Sequence, residues 1–350
     1  MQNGLTEFIR HVPKVELHVH LEGATQPETL LRLARRHSIR LPADTVEGIR
    51  QWYTFTDFPH FLEIYFKVCD CMRTPDDLEW VTREFLQGQA AQHIRHSEVT
   101  YTPFTHYRQT GLPFDEQLDA INRARTWGEA ELGVTMGLII DIDRGGPPEG
   151  GPLTLEWALQ GRDHGVIALG LGGYEPDFPP DIFADVFDQA HAENLPCVLH
   201  AGETGGPESI WSALRVGRSR RIGHGVRCLE DPALVAELRE RQIPLEVNPT
   251  SNICLGVFDS FEQHALPRLL EAGLYVTLNS DDPPMFNTTL TDEYLKAAAT
   301  FDLDVGTIEQ LVINAVRAAL LPPTVRANLE REFYADFGRL RREYLVGNHS

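Results

Sequence analysis

The 350-residue sequence predicts an α/β fold, a (β/α)₈ TIM barrel with a helical insertion after its first strand, from three observations. Eight apolar, β-branched runs recur along the chain, each bounded by Gly, Pro or polar turn residues. Segments of helical periodicity separate most of them, which implies parallel strands joined by right-handed crossovers. Four short motifs rich in metal ligands or carboxylates each close one run: His18-Val19-His20, His200-Ala201-Gly202-Glu203, Gly223-His224-Gly225 and Ser280-Asp281-Asp282-Pro283. Active sites of such barrels lie at the C-terminal rim of the strands, where all four motifs fall.

The first run, Lys14 to His20, ends in the His-x-His pair. Side chains at i and i+2 share one face of a strand, so both imidazoles can grip one ion while Val19 packs behind them. The stretch from Ala24 to Arg95 is too long for a simple crossover. Its aromatic spacing, through Trp52, Phe55, Phe58, Phe61 and Tyr65, reads as helices placed where a lid would close over the site. Within it, Cys69 and Cys71 sit at helical spacing and read as core packing, because no second Cys pair completes a zinc site. Runs at Ser97 to Thr102, Val134 to Asp141, Val166 to Leu171, Pro196 to Ala201, Arg220 to His224, Pro244 to Asn248 and Leu274 to Asn279 supply strands two to eight. The intervening ADVFDQAHAEN, PESIWSALRVG, DPALVAELRER and ALPRLLEAG carry helical periodicity, several opening on Asp or Pro and closing on Gly or Asn. Arg144 to Pro152 and Gly172 to Pro180 read as loops. Residues 304–350 read as helices closing the barrel base, so that 1–350 makes one domain.

A hydrophobic content of 42% and a charged content of 23% are ordinary for a soluble enzyme with a deep core. The formal net charge of -20 argues against a nucleic-acid backbone or an anionic membrane as partner, since either needs clustered Lys and Arg. A small-molecule substrate fits better. The start shows no basic region followed by an apolar one, and no segment approaches a membrane span, so a cytoplasmic location is expected. Five cysteines, an odd number without a dense framework, read as reduced thiols. Oligomeric state is not legible.

Zinc in a hydrolase takes nitrogen and oxygen ligands and keeps one position open for water, whose pKa falls toward about 7. His18, His20, His200 and Asp281 offer three imidazoles and a carboxylate for such an ion, a set that iron or manganese also accepts. A binuclear site commonly needs a bridging carboxylated lysine from a middle strand, and Lys14, Lys67 and Lys296 all lie away from the run Val166 to Leu171. One Zn²⁺ per chain is the expected count. His224, on the run after His200, is placed to orient and deprotonate the water, and Glu203 to exchange a proton with the substrate. Adjacent carboxylates repel, so Asp281 and Asp282 coexist most readily if the cation neutralises the first and a substrate ring nitrogen or N–H meets the second.

The segments ELHVHLEG, HAGE, GHGVRCLEDP and LNSDDPPMF resemble signature segments of the adenosine deaminase family, in the same order and over nearly the whole chain. The resemblance implies a zinc-dependent barrel that hydrolyses the 6-amino group of a purine to a 6-oxo group and ammonia. On matching positions it implies His18, His20, His200 and Asp281 as zinc ligands, Glu203 as the residue protonating purine N1, His224 as the base positioning the water, and Asp282 as the partner of N7. It also implies that Gly173, within LGLGGYE, offers its amide to N3. Glu22 stands at the position associated with a ribose hydroxyl, where adenosine deaminases usually have Asp and the adenine branch frequently has Glu. Gly223 resembles the nucleoside branch, and Asn248 departs from the Cys often found before Pro-x-Ser-Asn.

HAGETGGPESIW and NSDDPPMF are similar to bacterial members acting on 6-amino-6-deoxyfutalosine, an adenosine-like compound that carries a benzoate. An adenosine-type nucleoside is therefore the first expectation, with the futalosine type and free adenine behind it. Two other classes stay open. A zinc-stabilised purine-binding protein without turnover would not need Glu203 or His224, and a general amidohydrolase opening a cyclic amide or ester would not need Asp282.

Overall fold

Buried, β-branched runs become the staves of a barrel in the computed structural model, which describes residues 2–346. Met1 and residues 347–350, the end of the expected C-terminal helical segment, lie outside the described residues. The strands are β1 (Lys14–His20), β2 (Ile94–Tyr101), β3 (Thr135–Asp143), β4 (Val166–Gly172), β5 (Cys197–Ala201), β6 (Arg221–His224), β7 (Leu245–Val247) and β8 (Val276–Leu278). They pair in sequence order, each parallel to the next. Both faces of a parallel sheet need cover, which explains why the strands are buried almost throughout.

Strand β1 keeps its expected bounds, and the other seven shift by one to three residues at one or both ends. Strand β2 starts at Ile94, three residues early, because Ile94 already pairs with Lys14 while the polar Arg95 and His96 hide the start from pattern reading. Strand β8 is short because the chain leaves the regular ladder at Asn279. There the barrel closes irregularly: Leu17 N donates to Asn279 Oδ1 (2.8 Å), Asp281 N to His18 O (3.1 Å) and His20 N to Asp281 O (2.9 Å). The seam between last and first strands thus runs through three of the expected metal ligands.

Between β1 and β2 lie helices Pro27–Arg36, Val46–Trp52, Phe58–Cys69 and Pro75–Ala91. Each later start has a side-chain cap: Thr45 accepts from Gly48 N, Asp57 from His60 N, and Thr74 forms a reciprocal capping box with Asp77. Cys69 and Cys71 are wholly buried at the end of the third helix, consistent with packing. Helices Val305–Ala318 and Pro323–Leu340 follow the last strand. The link between them reaches the barrel interior, where Leu320 N donates to Glu98 and Ala318 O accepts from Arg221. No helix among the described residues is long and apolar enough to cross a membrane.

Candidate metal centre and catalytic pocket

His18 and His20 leave β1 two residues apart, His200 comes from β5, and Asp281 follows β8. One ligand atom from each lies within 4.8 Å of all the others. The separations are 3.2 Å between His20 Nε2 and His200 Nε2, 3.3 Å between His20 Nε2 and Asp281 Oδ1, and 3.5 Å between His18 Nε2 and Asp281 Oδ1. A tetrahedron with metal–ligand bonds of about 2.0–2.1 Å has edges of about 3.3 Å, so the four residues fit a single divalent ion.

Second contacts orient the rings. His18 Nδ1 faces Glu246 Oε2 at 2.9 Å and His200 Nδ1 faces Leu171 O at 3.1 Å. Both Nδ1 atoms therefore donate, and the lone pairs of both Nε2 atoms turn into the hollow. His18 Nε2 has no hydrogen-bond partner although it is buried, the mark of a ligand atom. Burial alone would raise the pKa of Asp281, but the His18 and His20 imidazoles beside it hold it well below the usual range. Burial, then the neighbouring imidazoles, push His200 well below its ordinary value, so it stays a neutral ligand.

Local geometry makes room for this crowding. A Cβ on Gly223 would come within 2.8 Å of His18 Cε1, and one on Gly23 within 1.6 Å of Asp282 Oδ1. His224 (φ +62°) and Asp281 (φ +65°) adopt the left-handed region without being glycine, strain of the kind concentrated at functional sites.

Glu203 and His224 face the same hollow. His224 Nε2 lies 3.7 Å from both Glu203 Oε2 and Asp281 Oδ2. Burial, and then the charge of Asp281, raise Glu203 well above a normal carboxylate. Asp282 is raised in the same way, and its Oδ1 has no partner. The chamber they line, about 50 Å³, is roofed by Phe58, Phe61, Leu62, Tyr65 and Phe66, all from helix Phe58–Cys69. Gly173 (φ +98°) lines it as well. Glu22 stands apart from that lining. It is wholly buried, its Oε1 accepting from Thr102 N (2.9 Å) and facing His106 Nε2 (3.3 Å), while Oε2 has no partner.

Several residues that pattern reading missed hold the site together. Glu175 accepts from the amides of Gly202, Glu203 and Thr204 and from Ser209 Oγ, which fixes the turn after His200. Arg144, in a segment that read as an open loop, is buried and donates from Nη2 to His200 O at 2.6 Å. Asp141 lines the chamber, and burial raises its pKa well above normal. Glu246 was visible as a charge inside an apolar strand, a signal that could have marked it as a partner for a buried cation or imidazole.

Residues 13–335 match the family described as adenosine deaminase. An aminodeoxyfutalosine deaminase of Streptomyces avermitilis is 41% identical over 331 residues, covering 94% of this chain and 92% of that protein. An adenine deaminase of Stutzerimonas stutzeri is 41% identical over 314 residues, covering 90% and 99%. A solved adenine deaminase from Arthrobacter aurescens superposes with a TM-score of 0.88 at 32% identity, over 93% of this chain and 98% of that one.

Proposed function

This chain belongs to the adenosine deaminase family, whose members are hydrolases of C–N bonds, and from that premise we propose that it releases ammonia from C6 of an adenosine-type nucleoside with a bulky substituent. Deamination of adenine-type purines is the activity its relatives share. The observation that carries the reading is the convergence of three imidazoles and Asp281 beside Glu203, His224 and Asp282.

His18, His20, His200 and Asp281 would hold a single zinc ion, which would supply Lewis acidity that brings the pKa of a water toward about 7. The chain's own groups do the rest. Purine N1 and N7 are acceptors, so each calls for a protonated partner, and buried Glu203 and Asp282 are both shifted toward the protonated form. Glu203 donates its proton at N1 while C6 becomes tetrahedral, and Asp282 holds N7. His224 faces the attacking oxygen, and the Gly173 amide is available to N3. Glu22 lines neither hollow, so the sugar contact expected of it rests on the family resemblance.

A second hollow, about 510 Å³, shares Leu62, Phe66 and Asp143 with the catalytic chamber and continues past Phe104, Arg108, Tyr174 and Phe178. A free base would leave it empty. An aminodeoxyfutalosine-type substrate would fill it, which favours that class over adenine. The alternative of free adenine is supported by the narrow chamber at the metal and by the adenine deaminase relatives.

Ammonia release from aminodeoxyfutalosine, adenosine, 2′-deoxyadenosine and adenine, with and without chelator, decides the matter. The nucleosides are expected to exceed adenine in kcat/KM by about tenfold or more, a gap of about 1.4 kcal/mol in transition-state binding, with all turnover lost to chelator. Adenine as the fastest substrate would overturn the substrate assignment. Turnover indifferent to chelator would overturn the metal. In the same assay Glu203→Gln is expected to lower kcat by about 10² to 10⁴.

A further inference from the structure

Four buried side chains behind the catalytic hollow form a file of hydrogen bonds whose polarity can be read from one end. Leu266 N donates to His264 Nδ1 at 3.1 Å. A backbone amide can only donate, so this Nδ1 is bare and the neutral ring carries its proton on Nε2. That proton meets Asn252 Oδ1 at 3.1 Å, which turns Asn252 Nδ2 the other way, to donate to His224 Nδ1 at 3.1 Å. Asn248, at the position where the family often has Cys, brings a second amide: its Nδ2 lies 3.3 Å from the same nitrogen.

With two N–H groups directed at Nδ1, the neutral ring of His224 keeps its own proton on Nε2. The surroundings of Nε2 agree, because Asp281 Oδ2, an acceptor, lies 3.7 Å away on that side. We propose that His264, Asn252 and Asn248 are positioning residues that hold His224 as the Nε2–H tautomer, so that it meets the reacting oxygen as a hydrogen-bond donor. This differs from the expectation that His224 deprotonates the water, since a nitrogen that already bears a proton cannot take another and leave the ring neutral.

The file is built to be rigid. All four side chains are buried. The His264 ring lies edge-on to Phe258, with centroids 4.7 Å apart, and burial pushes its pKa down to about 3, which keeps it neutral. Asn252 O accepts from Val257 N and Phe258 N, fixing the turn that carries Asn252. A donor preset toward developing negative charge needs no reorganisation during reaction, and its contribution there rests on the deaminase reading above. The tautomer itself does not.

The test is a long-range ¹H–¹⁵N correlation spectrum of the zinc-loaded full chain labelled with ¹⁵N-histidine, the His224 signals being those missing from His224→Gln. The expected pattern is a protonated Nε2 and a bare Nδ1. Asn252→Asp replaces the donating amide by an accepting carboxylate of the same shape, and is expected to move the proton to Nδ1 and lower kcat by about 10²-fold with KM little changed. His264→Phe, which removes the first link, should give a mixture of both tautomers. A wild-type spectrum with the proton on Nδ1 overturns the proposal whatever the variants do, as does an unchanged His224 pattern in folded Asn252→Asp. The expected spectrum in a protein that deaminates nothing would leave the file intact and sink the deaminase reading instead.

Discussion

Glu246 serves two buried donors: Oε2 faces His18 Nδ1, and Oε1 accepts from Arg221, whose Nη2 also lies 2.6 Å from Glu98. Glu246→Gln keeps the volume and removes the charge. Metal affinity is expected to fall about 10- to 100-fold, the usual cost of losing such a partner, read by competition with a chromophoric chelator. Unchanged affinity would remove Glu246 from the account. Lys14 offers a pH test. Its ammonium is buried at the start of β1 on the carbonyls of Val12 and Gln92, and burial pushes its pKa down to about 7 from 10.5. A lysine depressed in the folded state costs stability fully below its folded pKa, and that cost fades as pH rises toward the unfolded value. Lys14→Met should therefore stabilise the protein more at about pH 6 than at about pH 9, with urea melts as the readout. The four proposed ligands, Glu203 and His224 could be singled out in the sequence because strand alternation and short motifs carry them. Glu175, Arg144 and Asn252 could not, since their roles depend on chain segments far apart in sequence meeting at one turn or ring.

Helix Phe58–Cys69 is the element that decides access. The chamber under it, about 50 Å³, is narrow and is lined by five of its side chains, so movement of this roof is expected to accompany substrate entry. Its start depends on Asp57, which accepts from His60 N. Asp57→Ala is expected to cost about 1 kcal/mol of local stability and to speed amide exchange over residues 58–69, with KM changing more than kcat. Exchange rates equal to wild type would show that the roof is held from elsewhere. That an insertion lies between β1 and β2 was visible from its length and aromatic spacing, and three of its four helix starts carry readable caps. Which helix covers the metal was not, because that depends on the direction in which the chain leaves β1.

At the scale of the whole molecule, the barrel was legible because eight buried runs alternate with helices, a pattern few folds share. Its closure was not, since residues 279–281 replace a regular ladder with a side-chain acceptor and two bonds through Asp281. One consequence is a coupling of fold to metal. The last and first strands are joined through residues that also carry three of the proposed ligands, so a bound ion would act as a clasp on the seam. Bound at about 1,000 times its Kd, it should add about 4 kcal/mol to stability, and chelation is expected to lower Tm by several degrees with recovery on adding zinc.

The most direct test of the central claim is the X-ray absorption fine structure of the zinc-loaded protein. The account predicts one ion per chain in a shell of nitrogen and oxygen at about 2.0–2.1 Å, with imidazole scattering and no sulfur. A zinc–sulfur distance near about 2.3 Å, or an imidazole signal that survives unchanged in His20→Ala, would contradict it.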